Sequence, residues 1–133
     1  MNKPLVENCA ICQLHADPAP LPGWLLLDSL RYCSGPVDFT AVEASDWGRA
    51  VCDASRLVKQ IAGCERVYAS AFGEGAQHLH LHLIPRHLNE PASKAWAIAD
   101  LYRDMDRGDR AAAEPAAVAS MVQRFRALIS VQG

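Results

Sequence analysis

Gln77-His78-Leu79-His80-Leu81-His82-Leu83-Ile84-Pro85-Arg86 is the stretch on which the reading of this chain turns. Its apolar residues alternate strictly with histidines, the period-two signature of a β-strand with two different faces. His78, His80 and His82 therefore share one face, and Leu79, Leu81 and Leu83 fill the other, toward a core. Three of the chain's five histidines sit on that one face.

Working outward, Arg66 to Phe72 reads as a second strand, with Val67, Ala69 and Ala71 alternating with Tyr68, Ser70 and Phe72. The link between the two, Gly73-Glu74-Gly75-Ala76-Gln77, is short and glycine-containing, which predicts an antiparallel pair. Further upstream, Thr40 and Glu43 have capping-box spacing. Trp47, Val51, Ala54, Val58 and Ile61 follow as one apolar stripe, and Gly63 is placed to end that helix in a left-handed conformation. Trp24 to Leu27 reads as a buried strand that could continue toward Cys33, before a turn at Gly35-Pro36. Residues 1–22 read as irregular, because Pro18, Pro20 and Pro22 oppose helix and central strand alike. Beyond Pro91 a short helix is expected with Trp96, Ala99, Tyr102 and Met105 on one face. Gly108 and Pro115 then act as breakers. A final helix carries Val118, Met121, Val122, Phe125, Leu128 and Ile129. Strands with flanking helices, but without repeating strand–helix units, predict an α+β fold.

The chain has 133 residues, half of them apolar, and a formal net charge of -2. That suits one domain, residues 1–133, with a core that needs no staples. No basic stripe marks a nucleic-acid binder. No apolar run is long enough to span a bilayer, and Met1 to Glu7 lacks a signal-peptide pattern, so the expected location is cytoplasmic with no membrane partner. Five cysteines, an odd and modest number, favour reduced thiols over a disulfide framework.

The histidine row admits three readings: exposed histidines with no role, a metal site, or a site for a linear anion. Like-facing neighbours on a strand are about 6.5–7 Å apart, so the outer two lie roughly 13 Å apart at the backbone. One tetrahedral ion wants its ligands about 2 Å away, which fits three in a line poorly. A row of imidazoles can instead hydrogen-bond successive phosphate oxygens while one ring attacks phosphorus. Gly73 and Gly75 would let backbone N–H groups approach an anion closely.

These residues resemble the histidine triad (HIT) family of nucleotide hydrolases and transferases. The family motif, three histidines each followed by an apolar residue and closed by one more, is complete in His78-Leu79-His80-Leu81-His82-Leu83-Ile84. Helix, strand, glycine turn and triad strand also come in the family's order, over roughly residues 23–90. The resemblance implies an antiparallel sheet with a long helix on one face, a core over 23–90 and a C-terminal helical extension over 91–133. It implies that His80 attacks the α-phosphorus of a nucleotide. His82 would bond phosphate oxygen and help fix the ring of His80, and His78 would orient the strand. Gly75, Gln77 and Glu74 become the phosphate-side candidates. Dinucleoside polyphosphates, phosphoramidates or adenylyl conjugates are the implied substrates. No cofactor is required, and the implied assembly is a homodimer. The alternatives are a nucleotide-binding or sensing protein with little turnover, and a zinc-binding structural protein.

The chain departs from the family pattern in three places. The N-terminal region is short, where many members carry a strand hairpin that helps build the nucleoside pocket. A histidine common after the first core strand is absent near Tyr32. Glu74 stands where the better-known branches often carry a polar amide. Cys9-Ala-Ile-Cys12 is half of a zinc site, for which His15, Cys33 or His78 would have to supply the rest. Unligated thiols are the simpler expectation there. Cys52 and Cys64 are expected to be buried and structural. Arg86 and His87 could face phosphate, with solvation the simpler account of His87. Trp24, Trp47 and Trp96 are expected in the core.

Overall fold

The alternation in the triad strand requires an apolar layer on one side only, and the computed structural model shows how the chain provides it. Residues 12–16, 19–71 and 77–132 are described, the side chains of 126 and 128–132 excepted. Four strands, β1 (Cys12–His15), β2 (Leu25–Ser29), β3 (Arg66–Ser70) and β4 (His80–Arg86), form one antiparallel sheet in the order β1-β2-β4-β3. Three helices accompany them: α1 (Ala41–Ala62), α2 (Ala95–Asp106) and α3 (Pro115–Gln132). The fold is α+β, as the pattern predicts.

Helix α1 forms where its end signals stand. The Thr40 side chain accepts from the Glu43 backbone N–H, and the Glu43 side chain accepts in return from the Thr40 N–H. Gly63 closes the helix at φ +65°, a conformation that carries no Cβ penalty for glycine. Its apolar stripe, Trp47, Ala54, Leu57, Val58 and Ile61, packs on the sheet with Leu14 of β1, Leu25 and Leu27 of β2 and Leu83 of β4. Phe125 of α3 completes this layer, with Val118, Met121 and Val122 alongside.

The opposite face carries the histidines. It is covered at one end by a second cluster of Ala19, Trp24 and Ile84, against which Leu21, Tyr68 and, from α2, Ile98 and Tyr102 pack. This double cover explains why all five residues of β2 are buried. It also shifts the stripe of α2. Leu101 is buried and Ile98 and Tyr102 face the sheet, whereas Trp96 is 93% exposed and belongs to no core. A stripe through Trp96 and Ala99 mistakes the largest side chain for the packed one. Trp24 and Trp47 are buried as expected.

Two further expectations change. Cys12–His15, placed in an irregular segment by its prolines, is an edge strand paired with β2, Cys12 opposite Ser29 and His15 opposite Leu26. Four residues are too few to display a period, and the strand is specified by its partner instead. The triad strand begins at His80 rather than His78.

Leu83 is fully buried at the centre of the larger core. Its replacement by alanine removes about three methylene equivalents, and we expect Leu83→Ala to cost about 2–5 kcal/mol in denaturant unfolding. Thr40→Ala, which removes one half of the capping box, should cost only about 1 kcal/mol. Equal effects would mean that the core is not organised around β4.

Candidate active site

Strand register assembles the site. β2 and β4 pair antiparallel with Asp28 opposite His80 and Leu26 opposite His82. Directly opposed residues point to the same face. Trp24, Leu26 and Asp28 therefore share the face of His80, His82 and Ile84, and His15, opposite Leu26, joins them from β1.

Asp28 is the centre of the arrangement. One carboxylate oxygen, Oδ1, lies 2.8 Å from His80 Nδ1, and the other, Oδ2, lies 2.6 Å from His15 Nε2. Both Asp28 and His15 are buried, whereas the His80 side chain is 36% exposed. Burial pushes the Asp28 carboxyl up, but the hydrogen bonds and charges of His15 and His80 together outweigh it and hold the group below its ordinary value. An ionised carboxylate only accepts. His80 Nδ1 must then carry its proton, and in the neutral ring Nε2 keeps the lone pair. That is the tautomer and orientation a nucleophilic imidazole needs.

The two flanking rings are held differently. His78 Nε2 lies 2.6 Å from the Ser29 carbonyl oxygen and 3.1 Å from Ser29 Oγ. Since a carbonyl only accepts, His78 donates there and ties the start of β4 to the end of β2. Its ring stacks on His80, centroids 5.4 Å apart, and meets the edge of Tyr32. His82 accepts at Nδ1 from the Trp24 indole N–H at 3.0 Å. Burial first, and then the neighbouring His80, push the His82 pKa down, with Asp28 pulling it up by less.

The structure thus brings His78, His80 and His82 together as the sequence reading expects. Of the phosphate-side candidates, Gln77 is exposed, with its Oε1 accepting from the Tyr32 hydroxyl at 3.4 Å. Gly75 and Glu74 lie outside the described residues, as does Gly73. Arg86 continues the alternation of His80, His82 and Ile84 but is engaged at the turn after β4. Its guanidinium donates to the His87 and Glu90 carbonyls and to Ser93 Oγ, pinning the turn after β4. His87 has its own N–H on the same Ser93 oxygen. Asp28, His15 and Trp24 were missed as site residues. A signal for Asp28 existed: one acid inside Leu25-Leu26-Leu27-Asp28-Ser29, a strand otherwise apolar, has to be paired if it is buried.

The donors proposed to complete a zinc site are engaged elsewhere: His15 with Asp28, His78 with Ser29, and Cys33 Sγ with Ser29 Oγ at 3.3 Å. No group of three or more His, Cys, Asp or Glu that could hold a metal occurs among the described residues. Cys9, the other half of the proposed cysteine pair, lies outside the described residues. Cys12 is disulfide-bonded, against the expectation of reduced thiols, while Cys33, Cys52 and Cys64 are free; Cys64 is buried as expected, but Cys52 is exposed. A cysteine count speaks to compartment and not to whether two particular sulfurs lie within bonding distance. No helix among the described residues is long and apolar enough to cross a membrane.

No protein-family model matches this chain, and no curated protein does. Solved structures do. A histidine triad protein of Bradyrhizobium japonicum is 21% identical, with 88% of this chain and 83% of that chain covered at a TM-score of 0.69. The fold is that of the histidine triad proteins. A hypothetical histidine triad nucleotide-binding protein of Sulfolobus tokodaii superposes over 95% of this chain and 82% of its own, at 16% identity and a TM-score of 0.68. The diadenosine triphosphate hydrolase of Plasmodium falciparum, also 16% identical, matches 87% of this chain and 74% of its own at a TM-score of 0.52.

The histidine site is expected to be sensitive to acid. His82 is held neutral, with a pKa below its unfolded value, so the unfolded chain takes up a proton first as pH falls. Stability is therefore lost from the ordinary histidine range downward. Asp28, also depressed, contributes stability above its unfolded pKa that disappears as pH drops through its folded one. We expect the urea midpoint to fall between pH 7 and pH 5, with a smaller fall for His82→Asn, and to fall further below pH 4. A midpoint that is flat from pH 7 to pH 5 would contradict the His82 assignment, and one that does not fall further below pH 4 would contradict that of Asp28.

Proposed function

We propose that this protein breaks a phosphate bond of a nucleotide by way of a covalent nucleotidyl-histidine on His80. The observation that carries the reading is the Asp28 carboxylate on His80 Nδ1, which leaves the lone pair on Nε2 of a ring that is partly exposed. In the first step that lone pair attacks the α-phosphorus in line with the leaving group. The N–P bond forms and the bond to the leaving group breaks. The ring, now substituted at Nε2 and protonated at Nδ1, is cationic, and Asp28 balances it across 2.8 Å. Water then attacks phosphorus from the vacated side, releasing a nucleoside monophosphate, a proton to solvent and the neutral ring.

His82 donates from Nε2 to a phosphate oxygen. His78, bound to Ser29, holds the strand and stacks on the nucleophile. Gly75, Gln77 and Glu74 line the phosphate side in this reading, with backbone N–H groups of the glycine turn as anion donors. The scheme draws its charge stabilisation from the chain's own groups and calls on no cofactor. The likeness to a nucleotide-binding protein and to a dinucleoside polyphosphate hydrolase supports a nucleotide ligand.

The test uses intact-protein mass spectrometry. His82→Asn, chosen to slow breakdown of the intermediate, is mixed with diadenosine tetraphosphate. A mass gain of one adenylyl group is expected, and it should vanish when His80→Ala is added. His80→Ala alone should still fold, at reduced stability because one Asp28 oxygen loses its partner, and turn nothing over. Asp28→Asn keeps the shape but removes the charge, and kcat should fall by about 100-fold or more. An adduct that survives His80→Ala, or a fully active His80→Ala, would sink the proposal. Binding of a nucleoside monophosphate without any turnover would recast the protein as a nucleotide-binding one.

A further inference from the structure

Trp24 does more than fill the second core cluster. It stands immediately before β2, buried on the histidine face, with its indole N–H 3.0 Å from His82 Nδ1. The two rings meet edge-on, centroids 5.7 Å apart, and Tyr102 of α2 packs against both. An indole nitrogen can only donate. His82 Nδ1 must accordingly hold a lone pair, and the one proton of the neutral imidazole is on Nε2. A second proton could enter only at Nδ1, where it would meet the indole N–H head-on.

The surroundings of His82 work in the same direction. Burial and the facing His80 disfavour a charged ring, against a weaker pull from Asp28. Its cross-strand partners, Leu26 on β2 and Ser70 on β3, bring no charge. From α2 the facing group is the Tyr102 ring, whose phenol is neutral in the acid range.

We propose that Trp24 is a positioning residue that holds His82 as a neutral Nε2–H donor, and that the site therefore favours bonds from phosphorus to acidic leaving groups over phosphorus–nitrogen bonds. This rests on the nucleotidyl-histidine reading above and narrows its substrate class. Each imidazole of the triad is committed. His80 spends its Nε2 pair on phosphorus and its Nδ1 proton on Asp28. His78 has its Nε2 proton on the Ser29 carbonyl. His82 offers a hydrogen bond but is not an imidazolium acid. An oxygen of a polyphosphate or a carboxylate leaves without assistance: the P–O bond breaks, its electron pair stays on oxygen, and the group departs as an anion. An amine leaving from a P–N bond needs a proton delivered to nitrogen as the bond breaks. No triad histidine carries one to spare.

General acid catalysis is worth about 10²–10⁴-fold. The unmodified protein should thus cleave diadenosine tetraphosphate with kcat/KM about 100-fold or more above that for an adenosine phosphoramidate of a simple alkylamine at pH 7.5. In Trp24→Phe the Nδ1 of His82 is released and the ring can protonate. Phosphoramidate cleavage at pH 6 should rise about tenfold relative to the unmodified protein, with no matching rise for the anhydride.

The deciding measurement is the ¹⁵N spectrum of the histidine-labelled, unmodified protein, which needs neither turnover nor the Trp24 variant to fold. The expected result is His82 protonated at Nε2 alone, titrating below the ordinary histidine range. A proton on Nδ1, or an ordinary titration, overturns the role given to Trp24. The expected spectrum together with equal rates on the two substrates overturns the leaving-group preference. The expected spectrum with no turnover of either substrate removes the enzyme reading, and the preference with it, while the tautomer assignment stands.

Discussion

A single carboxylate placed inside an apolar strand is the constraint around which this molecule is arranged. Asp28 lies between Leu27 and Ser29 in a strand that is buried on both faces, and a lone charge there would cost several kcal/mol. It is tolerated because both of its oxygens are met, one by His80 and the other by His15. That requirement recruits β1 to the sheet edge, since His15 reaches Asp28 only from a strand paired with β2. It also fixes register. Sliding β2 by one residue against β4 would send the carboxylate into the leucine layer and leave the histidines facing apolar side chains. The same contact that makes the burial affordable gives His80 its tautomer, so the stability of the site and the state of that ring depend on one pair of hydrogen bonds.

The sheet separates these demands by face. Packing is concentrated on the side of α1 and α3, where Leu14, Leu25, Leu27 and Leu83 meet Val58, Ile61 and Phe125. The histidines are on the other side, one end of which is roofed by Trp24 and α2. The exposure of the triad follows from that roof: His82 lies beneath Trp24 and Tyr102, while His80 is half open. Structures no more than 21% identical share this architecture. Such tolerance is expected of a layer that asks only for apolar residues of suitable volume. The polar face has less latitude, because each ring there has a partner with one permitted hydrogen-bonding role.

The sequence announced its local features well. The capping box at Thr40, the stripe of α1, the stop at Gly63 and the alternation of β4 are each written within a few neighbouring residues, and the structure carries all four. The three triad histidines were legible for the same reason. What was not legible is what depends on pairing at a distance. Strand β1 has no pattern of its own and exists because β2 is beside it. Asp28 and His15 gain their roles only through register, and Trp24 looked like any large apolar residue until its N–H was placed against a ring nitrogen. Trp96 shows the reverse error. A bulky aromatic at helical spacing suggests a core position, but which arc of α2 turns inward is set by the sheet beneath it.

The sequence distances inside the site bear on how the molecule folds. The β3–β4 pair joins neighbouring segments, whereas Asp28 and His80 are 52 positions apart and Trp24 and His82 are 58. All of α1 and β3 lies between them. Closing so long a loop has a large entropic cost that is offset only once the leucine layer has condensed. A chain still emerging or partly collapsed has three histidines with ordinary freedom and no fixed tautomer. The fixed tautomer of His80 therefore depends on a long-range pairing, and no local segment of the chain has it on its own.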